Sequence, residues 1–266
     1  MQGTNSTALL DTDFLSKALT IADGDNTLLD IILSLDGYDF CCHEYILTEL
    51  ERHSTEMMSR IKTESSTGRM NLYSDSDIIR MLSDKDNDPF ALYRYLTLFR
   101  EACDSIGSTL YESYREITAD RLSSASFIGR INELDSVAKR GSNLGEIKTF
   151  ILLRTKKGDS DILYRFCSDD KGARLGARIL VDNLRCISIL SAFQWLKDEI
   201  HWTEGEAQPY MESYIKLCET HFQTSFHVLS SDNSQSVLRV PCRQVLHEIF
   251  EDRFRIVKDG YLRYNT

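Results

Sequence analysis

Acidic residues occur in the sequence at four places where an α/β sheet would bring them together. Two of these places follow candidate strands, and two lie near the starts of predicted helices. They are Asp11 and Asp13 after the apolar start of residues 7–15, Glu49, Glu146, and Asp169 with Asp170 after residues 161–167. In open parallel sheets, ligands bind beyond the carboxyl ends of the strands, where the strand order reverses. We therefore expect these carboxylates to converge.

Converging carboxylates repel one another unless they are protonated or share a cation. A set of oxygen ligands favours Mg²⁺ or Mn²⁺ over zinc. Such a cation lowers the pKa of a bound water and stabilises the charge that develops on a transferring phosphate. The pattern thus predicts in-line attack of metal-activated water on a phosphodiester.

Each acid also has a structural interpretation. Glu146, Asp169 and Asp170 stand at helix starts, where an acid caps the helix or meets its dipole favourably. Glu49 can equally be a solvated helix residue. Asp11 is harder to explain structurally, because it directly follows Ala-Leu-Leu in a predicted buried strand, and burying an unpaired charge is costly.

The predicted elements around these acids alternate between helix and strand. Residues 146–200 are typical of helix, strand, helix, strand and helix in turn, the pattern of a parallel sheet with covering helices. Residues 46–62 have strong helical periodicity. We predict an α/β core over residues 1–63 and 139–203, a helical insertion over 64–138, and a small α+β extension over 204–266.

Composition limits the protein class. The chain has 266 residues, 42% of them hydrophobic, which is enough for a sizeable core. It has no run of about 20 apolar residues and no basic leader, so neither a membrane span nor a secretory signal is expected. Seven scattered cysteines without paired spacing are typical of reduced thiols, and we expect a cytoplasmic protein.

The net charge of −10 is unevenly distributed, since residues 139–178 contain ten Lys or Arg against five acids. This segment is either a solvated helical face or a rim that attracts phosphates. Lys171, Arg174 and Arg178 are the candidate substrate-binding residues, because they follow Asp170 closely and the two arginines are four apart on one helical face. In the alternative, Arg174 is structural and pairs with Asp169.

Three segments resemble PIN domains, a family of Rossmann-like nucleases. LLDTDFLSKAL is similar to the first motif and YILTELER to the second, in which a helix supplies a glutamate. GEIKTFILLRTKKGDSDILYRFCSDDKGARLGA resembles the second half of toxin-type members. The similarity covers roughly residues 7–62 and 143–200.

The resemblance implies a PIN-like parallel sheet and a metal-dependent nuclease. It implies Mg²⁺ or Mn²⁺ as the cofactor. The catalytic acids would be Asp11, Glu49, Glu146 and one or both of Asp169 and Asp170, with Asp13 and Ser168 as supporting residues. RNA is the expected substrate in preference to DNA, and a homo-oligomer or an inhibitory protein are further partners to consider.

Two other functions fit parts of the pattern. In a haloacid-dehalogenase-like phosphatase, Asp11 would be the nucleophile, Asp13 the general acid, and Lys156 or Lys157 the phosphate-binding lysine. That interpretation leaves Glu49 and Glu146 without a role. The third possibility is a non-catalytic PIN-like scaffold that uses its aromatic-rich C-terminal segment as a binding surface.

Overall fold

The protein is represented by a computed structural model that describes most of the chain. The described residues are 6–83, 88–117, 122–138, 141–157, 164–220, 225–229, 234–239, 241–257 and 262–264. Among them, no helix combines the length and the apolar character that a membrane span requires.

Strands and helices are mixed along the described part of the chain. In chain order the strands are β1 (Ser6–Leu10), β2 (Ala22–Asp23), β3 (Asn26–Thr27), β4 (Tyr38–His43), β5 (Asn71–Tyr73), β6 (Tyr164–Cys167), β7 (Arg185–Ile187), β8 (Ser225–Leu229), β9 (Gln235–Arg239), β10 (Phe254–Ile256) and β11 (Leu262–Tyr264). The helices are α1 (Thr12–Thr20), α2 (Leu28–Leu33), α3 (Tyr45–His53), α4 (Thr55–Ser66), α5 (Asp75–Leu82), α6 (Pro89–Ser105), α7 (Tyr111–Tyr114), α8 (Ser124–Val137), α9 (Leu144–Lys157), α10 (Lys171–Leu180), α11 (Ile189–Ile200), α12 (Glu204–Thr220) and α13 (Cys242–Phe250).

The central sheet has five parallel strands in the order β5-β4-β1-β6-β7. β4 and β5 follow β1 on one side of the sheet. β6 and β7 come later in the chain and lie on the other side of β1. The strand order therefore reverses between β1 and β6, and a ligand is expected at the carboxyl edge at this point. Asp11 follows β1 there, and Ser168 follows β6.

Both faces of the sheet are covered, which explains the continuous apolar runs of its central strands. Ala8 and Leu10 pack into a core with α1, α2, α11 and α12, whereas Leu9 points to the other face and packs with α6 and α9. All three side chains are fully buried. This alternation fixes β1 in its register, because a shift by one residue would exchange the two faces.

The predicted alternation after residue 146 is confirmed. The segment contains α9, β6, α10, β7 and α11, and the strands are parallel. The carboxyl-terminal region is also α+β as predicted, with a second sheet in the order β10-β11-β8-β9. The sequence also predicts a turn at Asp259 and Gly260 between two strands. This turn and residues 161–163 of the predicted strand lie outside the described residues.

Two predictions are corrected by the structure. Residues 71–73, assigned to a helical insertion, form β5 and join the sheet beside β4, so the α/β core extends into the supposed insertion. The helix predicted over residues 46–62 is two helices. Ser54 adopts an extended conformation between them, and its hydroxyl caps α4 by accepting a hydrogen bond from the Met57 amide.

Candidate functional site

A cavity of about 520 Å³ lies beyond the carboxyl ends of β1 and β6. Its acidic lining residues come from four separate segments and are Asp11, Asp13, Glu49, Glu146 and Asp170. The other lining residues are Thr12, Ser16, Arg52, His53 and Gly141. The fold thus brings together, in one cavity, an acid from each of the four segments that the sequence singled out.

Asp11 is the most buried of these acids, with 4% of its surface exposed. It stands between β1 and α1, where its amide donates to the Cys167 carbonyl of β6 at 2.9 Å. The Ser168 hydroxyl donates to Asp11 Oδ2 at 2.8 Å. Asp11 and Ser168 are thus joined across the two strands between which the strand order reverses.

Glu49 reaches the cavity from the middle of α3. Its Oε2 accepts a hydrogen bond of 2.5 Å from the Thr12 hydroxyl at the start of α1. On its other side, the carboxylate packs against the backbone of Gly145, and any side chain at position 145 would collide with it. A side chain at position 145 would therefore require the Glu49 carboxylate to move.

Glu146 lies in the first turn of α9 and is half-buried. The helix starts directly after Asn143, whose φ of 59° is tolerated by asparagine better than by most residues. Two residues beyond Glu146, the fully buried Lys148 anchors the helix. Its ammonium group donates to Asp75 Oδ2 at 2.6 Å and forms an ion pair of 2.9 Å with Asp135 Oδ2.

Lys148 therefore links the helix that carries Glu146 to α5 and α8 of the intervening helical region. Burial by itself disfavours a charged Asp75, but the charges and hydrogen bonds of Lys148 and His43 together outweigh it and lower the pKa of Asp75. His43 also contacts this carboxylate, with its Nε2 3.3 Å from Asp75 Oδ1. A buried pair of this kind becomes strongly destabilising when one partner is removed.

The structure distinguishes the two adjacent acids after β6. Asp169 has both oxygens engaged, one by Lys17 Nζ at 2.7 Å and the other by the Ile189 amide at 3.0 Å. It does not line the cavity. Asp170 does line the cavity. Its Oδ1 caps α10 by accepting from the Ala173 amide, and no described residue donates a hydrogen bond to its second oxygen. The prediction of Asp169 as a ligand is therefore not supported by its placement, and Asp170 is the better candidate.

The electrostatics of the cavity disfavour full ionisation. Burial, followed by the charge of Glu146 and then that of Glu49, raises the pKa of Asp11 to about 7, although the Ser168 hydroxyl opposes the change. Burial also raises the pKa of Glu49, with a contribution from Glu146. Burial raises the pKa of Glu146 as well, and the charges of Asp170 and Asp13 add to this increase. The three most enclosed acids thus destabilise one another when ionised.

The predicted substrate-binding residues do not reach this cavity. Lys171, Arg174 and Arg178 are absent from its described lining. Arg174 donates instead to the Ser168 carbonyl at 2.8 Å, so it stabilises the turn after β6. This is a structural role of the kind considered for Arg174, but with the Ser168 carbonyl as its partner and not Asp169.

Two basic cavity residues, Arg52 and His53, were missed at the sequence level. A signal for them exists in the sequence. They stand three and four residues after Glu49 on a predicted helix, a spacing that brings all three side chains to one side.

The donor set suits a hard cation, because the acidic lining offers carboxylate oxygens. Within the described residues, no group of three or more His, Cys, Asp or Glu side chains is arranged so that it could hold a metal ion as it stands. Mg²⁺ is commonly held by one or two carboxylates while water completes its coordination. Two of the enclosed acids together with water would therefore be enough to bind Mg²⁺. A cation would also offset the repulsion between the carboxylates that raises their pKa values.

Comparison with known proteins gives no family assignment. A scan of the sequence against protein-family models matched none of them, and a search of curated proteins found no similar sequence. The chemistry of this chain is therefore inferred from the arrangement of its side chains.

Proposed function

We propose that this protein is a metal-dependent nuclease with a PIN-like fold that hydrolyses phosphodiester bonds in RNA or DNA. The observation that carries the proposal is the convergence of Asp11, Glu49, Glu146 and Asp170 in one cavity at the reversal of strand order. Since each acid comes from a different segment, the spacing of any one motif does not explain their proximity.

The cost of this arrangement supports a functional role. Three enclosed acids with raised pKa values reduce the stability of the folded chain at neutral pH. Perturbed carboxyls gathered in a cleft are typical of functional sites. A bound Mg²⁺ or Mn²⁺ would offset the repulsion.

Two of the four carboxylates of Asp11, Glu49, Glu146 and Asp170 would hold the cation together with water. Thr12 and Ser168 fix the carboxylates of Glu49 and Asp11 by hydrogen bonds. When bound, the cation supplies a more acidic water and stabilises negative charge on the phosphoryl oxygens. Hydrolysis then adds water across the P–O bond. The water oxygen bonds to phosphorus, and the leaving oxygen departs with a proton.

Cleavage of labelled RNA and DNA oligonucleotides, with Mn²⁺, Mg²⁺ or EDTA, tests the proposal. We expect cleavage with either metal and none in EDTA. Glu146→Gln should reduce the rate by at least about 100-fold, the scale expected when an electrostatic group is removed from a catalytic centre. Asp182→Asn is the matched control, because Asp182 is exposed and does not line the cavity.

Cleavage that persists both in EDTA and in Glu146→Gln would contradict the proposal, as would failure of the wild type to cut either nucleic acid. The phosphatase alternative predicts turnover of a small phosphomonoester instead. Its lysine has no support in the geometry. Lys156 is held at 3.0 Å by both Asp39 and the Tyr73 hydroxyl, and neither Lys156 nor Lys157 lines the cavity.

A further inference from the structure

The proposed acidic site leaves two residues of its own wall unexplained. Arg52 and His53 are the last two residues of α3, and both are exposed in the cavity. Because side chains three and four positions apart share a helix face, they lie on the same side of α3 as Glu49. A positive charge is thus fixed beside the acids by the helix that supplies one of them.

The positive charge of Arg52 acts on other residues of its own helix. Burial raises the pKa of Tyr45 in the first turn of α3, and the charge of Arg52 opposes this change. Its charge also acts on Glu49, where it opposes the effect of burial. Arg52 is thus exposed in the cavity and acts electrostatically on the acid that its own helix supplies.

Two other basic groups near the acids, Lys17 and Arg174, are engaged in structural contacts. Lys17 pairs with Asp13 at 3.0 Å and with Asp169 at 2.7 Å. Arg174 holds the Ser168 carbonyl. In the described lining of the cavity, the basic side chains are Arg52 and His53.

We propose that Arg52, assisted by His53, binds a backbone phosphate of the nucleic acid in the acidic cavity. This inference rests on the proposed nuclease function. A polyanion that approaches five carboxylates is repelled unless a cationic group receives it. Arginine suits this role, because its guanidinium is always charged and presents paired N–H donors to phosphate oxygens. Contacts of this type position the strand without reading its sequence.

The test compares Arg52→Ala, Arg52→Lys and wild type in binding a fluorescently labelled RNA oligonucleotide. Anisotropy is measured in EDTA, which prevents metal-dependent cleavage, across a salt series. We expect Arg52→Ala to weaken binding by about tenfold, as for loss of one charged hydrogen bond. The slope of log K against log salt should fall by about one. Arg52→Lys should restore the slope but only part of the affinity.

Arg80→Ala is the matched control, because it removes an equal charge from an exposed side chain that does not line the cavity. Its salt slope should equal that of the wild type. A second readout is the Mn²⁺-induced rise in melting temperature. This Mn²⁺-induced rise should persist in Arg52→Ala, because Arg52 is proposed to contact the substrate and not the metal. In cleavage assays of Arg52→Ala, KM should rise by a larger factor than kcat falls.

The two proposals fail in different ways. Arg52-dependent oligonucleotide binding in a wild type that cleaves nothing would support the phosphate site and reject the nuclease. Normal cleavage with unchanged KM and salt slope in Arg52→Ala would reject the phosphate site and retain the nuclease. A wild type that binds no oligonucleotide would overturn the inference, and so would equal losses in Arg52→Ala and Arg80→Ala.

Discussion

Replacing Asp11 by asparagine should stabilise the metal-free protein at alkaline pH. The substitution removes the charge of the most enclosed acid but keeps an oxygen that can accept the Ser168 hydrogen bond. Most substitutions of buried residues destabilise a protein. A gain in stability would therefore be a specific signature of charge repulsion in the cavity.

The magnitude follows from the pKa of Asp11, which rises from its ordinary value of 3.8 to about 7 on folding, through burial first and then the charges of Glu146 and Glu49. Below pH ~4 the carboxyl is protonated in both the folded and the unfolded chain. Between pH ~4 and ~7 the unfolded chain ionises first, so the free energy of unfolding falls as the pH rises. Above pH ~7 the loss is complete and is on the order of 4 kcal/mol.

Protonation of Glu49 and Glu146 makes the stability loss from ionised Asp11 smaller, because the charges of these two glutamates contribute to the raised pKa of Asp11. For Asp11→Asn we therefore expect a gain of roughly 2 to 4 kcal/mol in the free energy of unfolding at pH 8, and only about 1 kcal/mol at pH 4.5. Urea unfolding of both proteins in EDTA at the two pH values measures the difference.

Asp30→Asn is a control of opposite sign. Burial disfavours the Asp30 carboxylate, but hydrogen bonds from Thr27 and Arg69 and the positive charge of Arg60 together outweigh burial and lower the pKa of Asp30. Its replacement should destabilise the protein at pH 8. Comparison of the two variants separates repulsion in the cavity from a general effect of removing an acid.

Metal ions provide the second arm of this experiment. Mn²⁺ at about 100 times its dissociation constant should stabilise the wild type by ~2.7 kcal/mol, whereas Asp11→Asn should show little response. Equal destabilisation by Asp11→Asn at both pH values would show that ionisation of Asp11 does not destabilise the folded protein. A metal response that survives both Asp11→Asn and Asp170→Asn would place the cation elsewhere.

Two further substitutions probe the neighbours of the acids. Gly145→Ala should displace the Glu49 carboxylate and lower both Mn²⁺ affinity and cleavage, whereas Gly129→Ala, with open space around it on α8, should leave both unchanged in calorimetric and cleavage assays. Equal behaviour of the two alanine variants would refute the packing of Glu49 on Gly145. Ser168→Ala removes a hydrogen bond that lowers the pKa of Asp11, so Mn²⁺ binding titrated from pH 6 to 9 should shift to higher pH, and an unshifted curve would contradict this role.

The elements with clear periodicity were predictable from the sequence. β1, β6 and the helices α9, α10 and α11 have apolar patterns that their burial explains. β5 was missed because Asn71, Leu72 and Tyr73 form a three-residue edge strand that lies in a polar stretch and lacks an apolar run. The break at Ser54 was missed because the apolar spacing of the two helices continues through it, and only the backbone conformation reveals the cap.

At the site, the identities of the acids were predictable but their environments were not. Asp169 and Asp170 are adjacent and equivalent in the sequence, and only the tertiary contacts of Asp169 with Lys17 and Ile189 distinguish them. The prediction that basic residues of segment 139–178 border the acids has a related explanation. Its charges are close to the acids along the chain, but Arg174 is bonded to the Ser168 carbonyl and does not line the cavity.

The residues beside the acids explain how four short motifs can define one site. Thr12, next to Asp11, holds Glu49 by a hydrogen bond, and Gly145, next to Glu146, leaves the space that Glu49 fills. Each neighbour thus serves an acid of another segment. A carboxylate is common in any chain, but a hydroxyl or a glycine at these positions is needed only if the partner segment docks there. The neighbours therefore carry more information about the tertiary arrangement than the acids themselves, and substituting them should disturb the site while all of its carboxylates remain.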